Sequence, residues 1–154
     1  MGTSHPKILI AEDDRELREL LAFCLFRAGY SVTCCGNGLK LLELLEPCAD
    51  NESERFDLVL TDLRMPALTG LEVLEAYHDL PDRPPFICMT AFGDEATHEL
   101  AEKLGAAFTI DKPMDLDDLI AIIDSFFPEK TARPGKWSQT DGNSGEEYST
   151  FSRR

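Results

Sequence analysis

Asp62-Leu63-Arg64-Met65-Pro66-Ala67-Leu68-Thr69-Gly70 joins an apolar run, Phe56 to Leu60, to an amphipathic one, Leu71 to Tyr77. A short apolar run bounded by turn residues reads as a strand buried on both faces. The carboxylate at its end then sits where open α/β sheets place their ligands. Pro66 and Gly70 keep a helix from starting at once, so the loop after Asp62 stays open and lines a crevice.

The same alternation extends in both directions. Lys7 to Ala11 reads as strand one, followed by Glu12-Asp13-Asp14 and by Leu17, Leu21, Cys24 and Leu25 at helical spacing, with Asp14 as the cap. Gly29 stops that helix. Tyr30 to Cys35 reads as strand two, and Asn37 caps a helix from Leu39 to Leu45 that Pro47 ends. A polar loop, Cys48 to Arg55, leads to strand three, Leu58 to Leu60. After the third helix, the Pro81 to Pro85 cluster breaks the chain before Phe86 to Thr90, strand four. Asp94 caps helix four and Gly105 closes it; Phe108 to Ile110 is strand five, and Asp115 caps the last helix. Five β-α units predict an α/β fold, with helices on both faces of a five-stranded parallel sheet and right-handed crossovers.

Composition narrows the function. A chain of 154 residues with 43% hydrophobic content forms one globular domain. A net charge of -14 opposes direct nucleic-acid binding, which needs clustered Lys and Arg. No stretch approaches a membrane span, and the run from Ile8 to Ala11 is too short for a secretory signal. The five cysteines are scattered, form no C-x-x-C pair and fit a reducing cytoplasm. A redox role for adjacent Cys34 and Cys35 is the weaker alternative to simple burial. Past residue 127 the chain turns polar and loses all period. Residues 128–154 carry five basic and four acidic groups, leaving -15 on residues 1–127. That segment reads as a disordered tail or linker, with Trp137, Tyr148 and Phe151 as its large apolar groups.

In a parallel sheet all carboxyl ends share one rim. Strand one brings Glu12 and Asp13 there, strand three Asp62, strand four Thr90 and strand five Lys112. Each residue alone is ordinary as a cap or loop residue; the set at four strand ends is not. Crowded carboxylates repel, and a divalent cation with spare water positions, Mg²⁺ or Mn²⁺, resolves the repulsion. Lys112 is a point charge for Asp62 or for phosphoryl oxygens, and Thr90 holds one donor that can move to a new oxygen. A cis Lys112-Pro113 bond is expected.

Glu12-Asp13, Asp62 with Met65-Pro66 and Gly70, Thr90-Ala91 and Lys112-Pro113 together resemble the receiver domain of two-component response regulators, over residues 7 to about 127. The resemblance implies a flavodoxin-like, CheY-like sheet of order 2-1-3-4-5. It implies that Asp62 accepts a phosphoryl group from a sensor histidine kinase or a histidine phosphotransfer protein. Mg²⁺ would be held by Asp13, Asp62 and the Arg64 carbonyl, with Glu12 acting through water. Lys112 and Thr90 would hold the phosphoryl oxygens. The protein would not be a conventional enzyme, though Mg²⁺-dependent self-phosphorylation from a donor and autodephosphorylation follow. It would signal through a downstream protein or a second copy, using helix four, strand five and helix five.

The pattern departs from the family at one point. An aromatic usually stands three residues before the lysine; here Thr109 does, with Phe108 one residue earlier. A one-residue shift turns a strand side chain to the other face, so Phe108 is expected in the core. Arg64 and Phe92 occupy positions that tune phosphoryl lifetime in the family. Two other classes compete. An aspartyl-nucleophile phosphatase of haloacid type would want a second Asp where Arg64 stands. A flavodoxin-like electron carrier would want a phosphate loop where Glu12-Asp13-Asp14 stands. The chain also fits the N-terminal receiver of a longer transcriptional regulator.

Overall fold

The computed structural model describes residues 5–46, 55–65, 68–80, 82–91 and 94–139. Strands β1 (Lys7–Ala11), β2 (Ser31–Cys35), β3 (Leu58–Asp62), β4 (Phe86–Ala91), β5 (Phe108–Lys112) and β6 (Trp137–Gln139) form one sheet of order β5-β4-β3-β1-β2-β6. Every pairing is parallel. Helices α1 (Arg15–Arg27), α2 (Gly38–Leu45), α3 (Gly70–Ala76), α4 (Glu95–Lys103) and α5 (Leu116–Asp124) make the crossovers. The order 2-1-3-4-5 is present, extended at one edge.

Both faces of the central strands are buried, which explains why those strands read as continuous apolar runs. Ile8, Ile10, Leu58, Leu60, Ile87 and Met89 face one cluster with Leu21 and Leu25 of α1 and Leu119 and Ile123 of α5. Leu9, Val59, Phe86 and Cys88 face the other, with Leu41 of α2, Val73 and Leu74 of α3 and Ala101 of α4. The expected caps hold four helix starts. Asp14 accepts from Glu16 N and Leu17 N, Asn37 from Lys40 N, Asp94 from Thr97 N, and Asp115 from Asp117 N and Asp118 N. At α3, Thr69 and Glu72 form a reciprocal capping box. Gly70 opens that helix because a Cβ there would collide with the Asp62 carbonyl oxygen.

Two expectations are corrected. Residues 128–139, read from composition as the start of a disordered tail or linker, lie on the domain instead. Val32, Thr33 and Cys34 of β2 pair with Trp137, Ser138 and Gln139. Val32 N donates to Lys136 O at 2.7 Å, and the Trp137 ring lies 6.0 Å from Phe26 and 6.4 Å from Phe23. The physical reason is tertiary: β2 offers an open edge, and α1 offers aromatic surface beside it. Second, Phe108 is 42% exposed rather than in the core. It leads the outer strand, which pairs only with β4, whereas Ile110 two residues on reaches the α1/α5 cluster. Part of the expected Cys48–Arg55 loop (residues 48–54), together with Pro47, Pro66, Pro81, Phe92, Tyr148 and Phe151, lies outside the described residues.

Candidate functional site

The carboxyl ends of β1, β3, β4 and β5 deliver the expected side chains to one rim. Asp62 closes β3 and is 7% exposed; Glu12 follows β1 and is fully buried. Lys112 ends β5 and reaches between them, its Nζ 2.9 Å from Asp62 Oδ2 and 2.9 Å from Glu12 Oε1. The Lys112-Pro113 bond is cis. The other Asp62 oxygen, Oδ1, accepts from the Arg64 amide at 3.0 Å, so the first residues of the loop fold back onto the carboxylate. Glu12 is fixed at two points. Its Oε2 accepts from the Asp14 amide at 3.1 Å, and its carbonyl accepts from Arg18 Nη1 at 2.8 Å.

Burial dominates the electrostatics. It pushes the Glu12 carboxyl up to about 7; Lys112 and the Asp14 amide oppose the rise, and the Asp62 charge adds to it. Burial alone would lower Lys112, but its contacts with Glu12 and Asp62 outweigh that and hold its pKa above the usual lysine value. Lys112 is therefore the fixed positive charge of the site. One cation does not saturate three carboxylates. Carboxylate oxygens of Glu12, Asp13 and Asp62 lie within 4.8 Å of one another. Glu12 Oε1 is buried with the Lys112 ammonium, 2.9 Å away, as its ion-pair partner, and Lys112 is shared with Asp62. A hard all-oxygen donor set of three carboxylates sharing one ammonium fits a small divalent cation and its waters.

Thr90 is 2% exposed at the end of β4. Its hydroxyl bonds away from Asp62. It donates to Asp111 Oδ1 at 3.1 Å, and His98 Nε2 lies 2.9 Å from it. The Arg64 side chain leaves the crevice too, pairing with Asp94, the α4 cap, at 2.9 Å. Sequence reasoning passed over His98 and Asp111. Their signal is faint: the period of two in β5 sends Thr109 and Asp111 to the face opposite Lys112, and His98 stands one helical turn into α4. The alternative of redox chemistry at Cys34 and Cys35 gains no support, because burial pushes both thiols up to about 12.

A doubly wound sheet with an acidic, cation-competent pocket and one half-buried lysine at its carboxyl rim defines a class of phosphate-handling carboxylate sites. Residues 8–124 match the response regulator receiver domain family. The chain is 38% identical over 122 residues to the transcriptional regulatory protein CrdR of Helicobacter pylori, covering 79% of this chain and 54% of that one. It is 31% identical over 125 residues to sporulation initiation phosphotransferase F of Bacillus subtilis, covering 81% and 96%. Among solved structures, full-length FixJ from B. japonicum superposes with a TM-score of 0.69 at 31% identity, covering 82% of this chain and 60% of that one. The chain belongs to the response regulator receiver domain family. It is thus a phosphoryl-accepting switch of two-component signalling. Receiver domains bind Mg²⁺ at their acidic pocket, take the phosphoryl group from histidine kinases and act as switches rather than conventional enzymes. The chain spans about half the length of CrdR.

Proposed function

We propose that Asp62 is the phosphoryl acceptor, and that the donor is a phosphohistidine on a sensor histidine kinase or a histidine phosphotransfer protein. The observation that carries this is the shared lysine: Lys112 holds Asp62 Oδ2 and Glu12 Oε1 at 2.9 Å each, in a rim otherwise built of carboxylates. Asp13, Asp62 and the Arg64 carbonyl would hold Mg²⁺ or Mn²⁺, with Glu12 acting through water. Once bound, the ion supplies charge neutralisation for the incoming phosphoryl oxygens.

A carboxylate oxygen of Asp62 attacks phosphorus in line, the P–N bond breaks, and the histidine imidazole leaves with that electron pair. Lys112 moves part of its charge from Asp62 to the transferred oxygens. Thr90 donates its proton to one of them. Water later cleaves the acyl phosphate, so the signal is temporary. The phosphatase reading is weaker, because the place of its second Asp holds Arg64, whose side chain is committed to Asp94.

Output runs through the face made by α4, β5 and α5, to a downstream protein or a second copy. CrdR supports a setting inside a longer transcriptional regulator; the near-complete coverage of phosphotransferase F supports a receiver acting as its own unit. The cytoplasm is the compartment proposed: the four cysteines among the described residues are free, which suits a reducing setting, and no helix among those residues is long and apolar enough to cross a membrane. Incubation with acetyl phosphate, with and without Mg²⁺, and intact-mass analysis test the core of this reading. One phosphoryl adduct is expected, dependent on Mg²⁺ and lost in Asp62→Asn. Unchanged labelling of Asp62→Asn sinks it.

A further inference from the structure

We infer that His98 of α4 is the residue through which Thr90 passes the state of Asp62 to the α4–β5 face, in the place where related domains use an aromatic from β5. The inference rests on Asp62 as acceptor and adds how its state is read.

Geometry first removes the obvious alternative. Alternation along β5 puts Phe108, Ile110 and Lys112 on one face and Thr109 and Asp111 on the other. Phe108 is exposed, on the face away from α4. Thr109 occupies the position three before Lys112 and carries no ring. The ring that fills this space arrives from the helix. His98 lies one turn after the α4 cap, its amide donating to Asp94 O at 3.2 Å. Its Nε2 stands 2.6 Å from Asp111 Oδ1 and 2.9 Å from Thr90 Oγ1, and its Nδ1 meets Thr109 Oγ1 at 2.5 Å.

Proton accounting then couples the four groups. Ionised Asp111 only accepts, and the His98 hydrogen bond holds its pKa below the usual carboxylate value. Nε2 therefore carries a proton and shares it between Asp111 and Thr90, while the Thr109 hydroxyl, able to donate or accept, closes Nδ1. Thr90 has a single proton, and it goes to Asp111. Donation to a phosphoryl oxygen on Asp62 requires breaking that bond. Rotation of Thr90 that carries Oγ1 to the phosphoryl oxygen also takes it off Nε2, so the Nε2 proton then belongs to Asp111 alone and the ring loses the contact that ties it to β4. A single-proton hydroxyl cannot serve both acceptors, so this step is exclusive rather than graded.

The consequence reaches the surface. His98 lies in a groove of about 290 Å³ lined by Asp94, Glu95, Glu99, Glu102 and Asp111. A second tether, Arg64 to Asp94, joins the Asp62 loop to the same end of α4. The start of α4 is thus held at two points of the rim, by Arg64 of the loop after β3 and by Thr90 at the end of β4. By reciprocity, a ligand that grips the released His98 ring raises the phosphorylated fraction.

The test uses the full chain with isotope-labelled histidine and acetyl phosphate plus Mg²⁺, read by NMR with intact mass recorded on the same sample. Of the three histidines, His98 is assigned by its loss in His98→Gln. Its ring signals are expected to shift when the adduct forms, whereas those of His5 and His78 stay in place. Backbone amides from Glu95 to Lys103 are expected to move in the wild type and to stay still in His98→Ala carrying the same adduct. His98→Gln keeps a donor for Asp111 and recovers most of the movement, which a merely structural role would not produce. Unmoved His98 signals in a fully phosphorylated sample overturn the inference alone, as does an α4 response preserved in His98→Ala. Absence of any adduct on Asp62 overturns this inference and the acceptor reading together.

Discussion

Two polar clusters sit a strand apart and are built on opposite principles. Glu12, Asp13, Asp62 and Lys112 form a charge-dense cluster, two of its carboxylates buried, whose members all come from strand ends. Thr90, His98, Thr109 and Asp111 form a hydrogen-bonded cluster assembled across a helix and two strands, with His98 and Asp111 partly exposed. The first is electrostatically incomplete: three clustered carboxylates share one lysine. The second is complete, each hydrogen bond closed by a neighbour. Incompleteness suits a site that must take on an ion and a phosphoryl group. Completeness suits a device that must hold one state until a competing acceptor appears, and the difference separates the chemistry from its readout.

Removing the one cation of the charged cluster is expected to have the largest effect. Lys112→Ala leaves Glu12 and Asp62 buried without their shared cation, and breaking such a pair costs about 3 kcal/mol or more. Urea denaturation without Mg²⁺ should show that loss, and added Mg²⁺ should restore part of it. A loss below 1 kcal/mol would mean that the carboxylates are better solvated than the structure has them.

Glu12 sharpens the same point through pH. Burial raises its folded pKa from the ordinary carboxylate value of 4.5 to about 7. For a group raised on folding, the stabilising contribution is complete below the unfolded value and is lost as pH rises through the folded one. Metal-free stability should therefore fall between pH 4.5 and 7 on account of Glu12 and level off above. Glu12→Gln should remove that slope; a slope unchanged in the variant contradicts the assignment.

Trp137 touches neither cluster. Trp137→Ala should cost about 2 kcal/mol, less than a full core truncation because the ring is half-buried, and should leave Asp62 labelling intact. Thermal or urea unfolding of the full chain measures the first part and intact mass the second. A neutral effect would return β6 to the status of a loose tail. Thr109→Val is the gentlest probe. It removes one hydrogen bond to His98 and should cost about 1 kcal/mol, with labelling unaffected.

The contrast also explains what could be read beforehand. The strands appear as short apolar runs because both faces of the sheet are covered, and the caps Asp14, Asn37, Asp94 and Asp115 act on amides two or three residues away. Both are local signals. The charged cluster follows from them, since a parallel sheet forces all strand ends to one rim. Face alternation sends Phe108 toward the core but does not say whether a helix covers an edge strand at that point, and none buries it there. β6 has three residues and no period, and its stability comes from Phe23, Phe26 and the β2 edge, far away in sequence. His98 needed the distance between α4 and β5, which no spacing along the chain encodes.

The central claim is that Asp62 itself carries the phosphoryl group. An aspartyl phosphate is an acyl phosphate and, unlike a free carboxylate, is reduced by borohydride to homoserine. Phosphorylation with acetyl phosphate and Mg²⁺, borohydride reduction and peptide sequencing by mass spectrometry should place homoserine at position 62 and nowhere else. Homoserine at Asp13 or another aspartate, or the corresponding longer alcohol at Glu12, with Asp62 unchanged, would contradict the account.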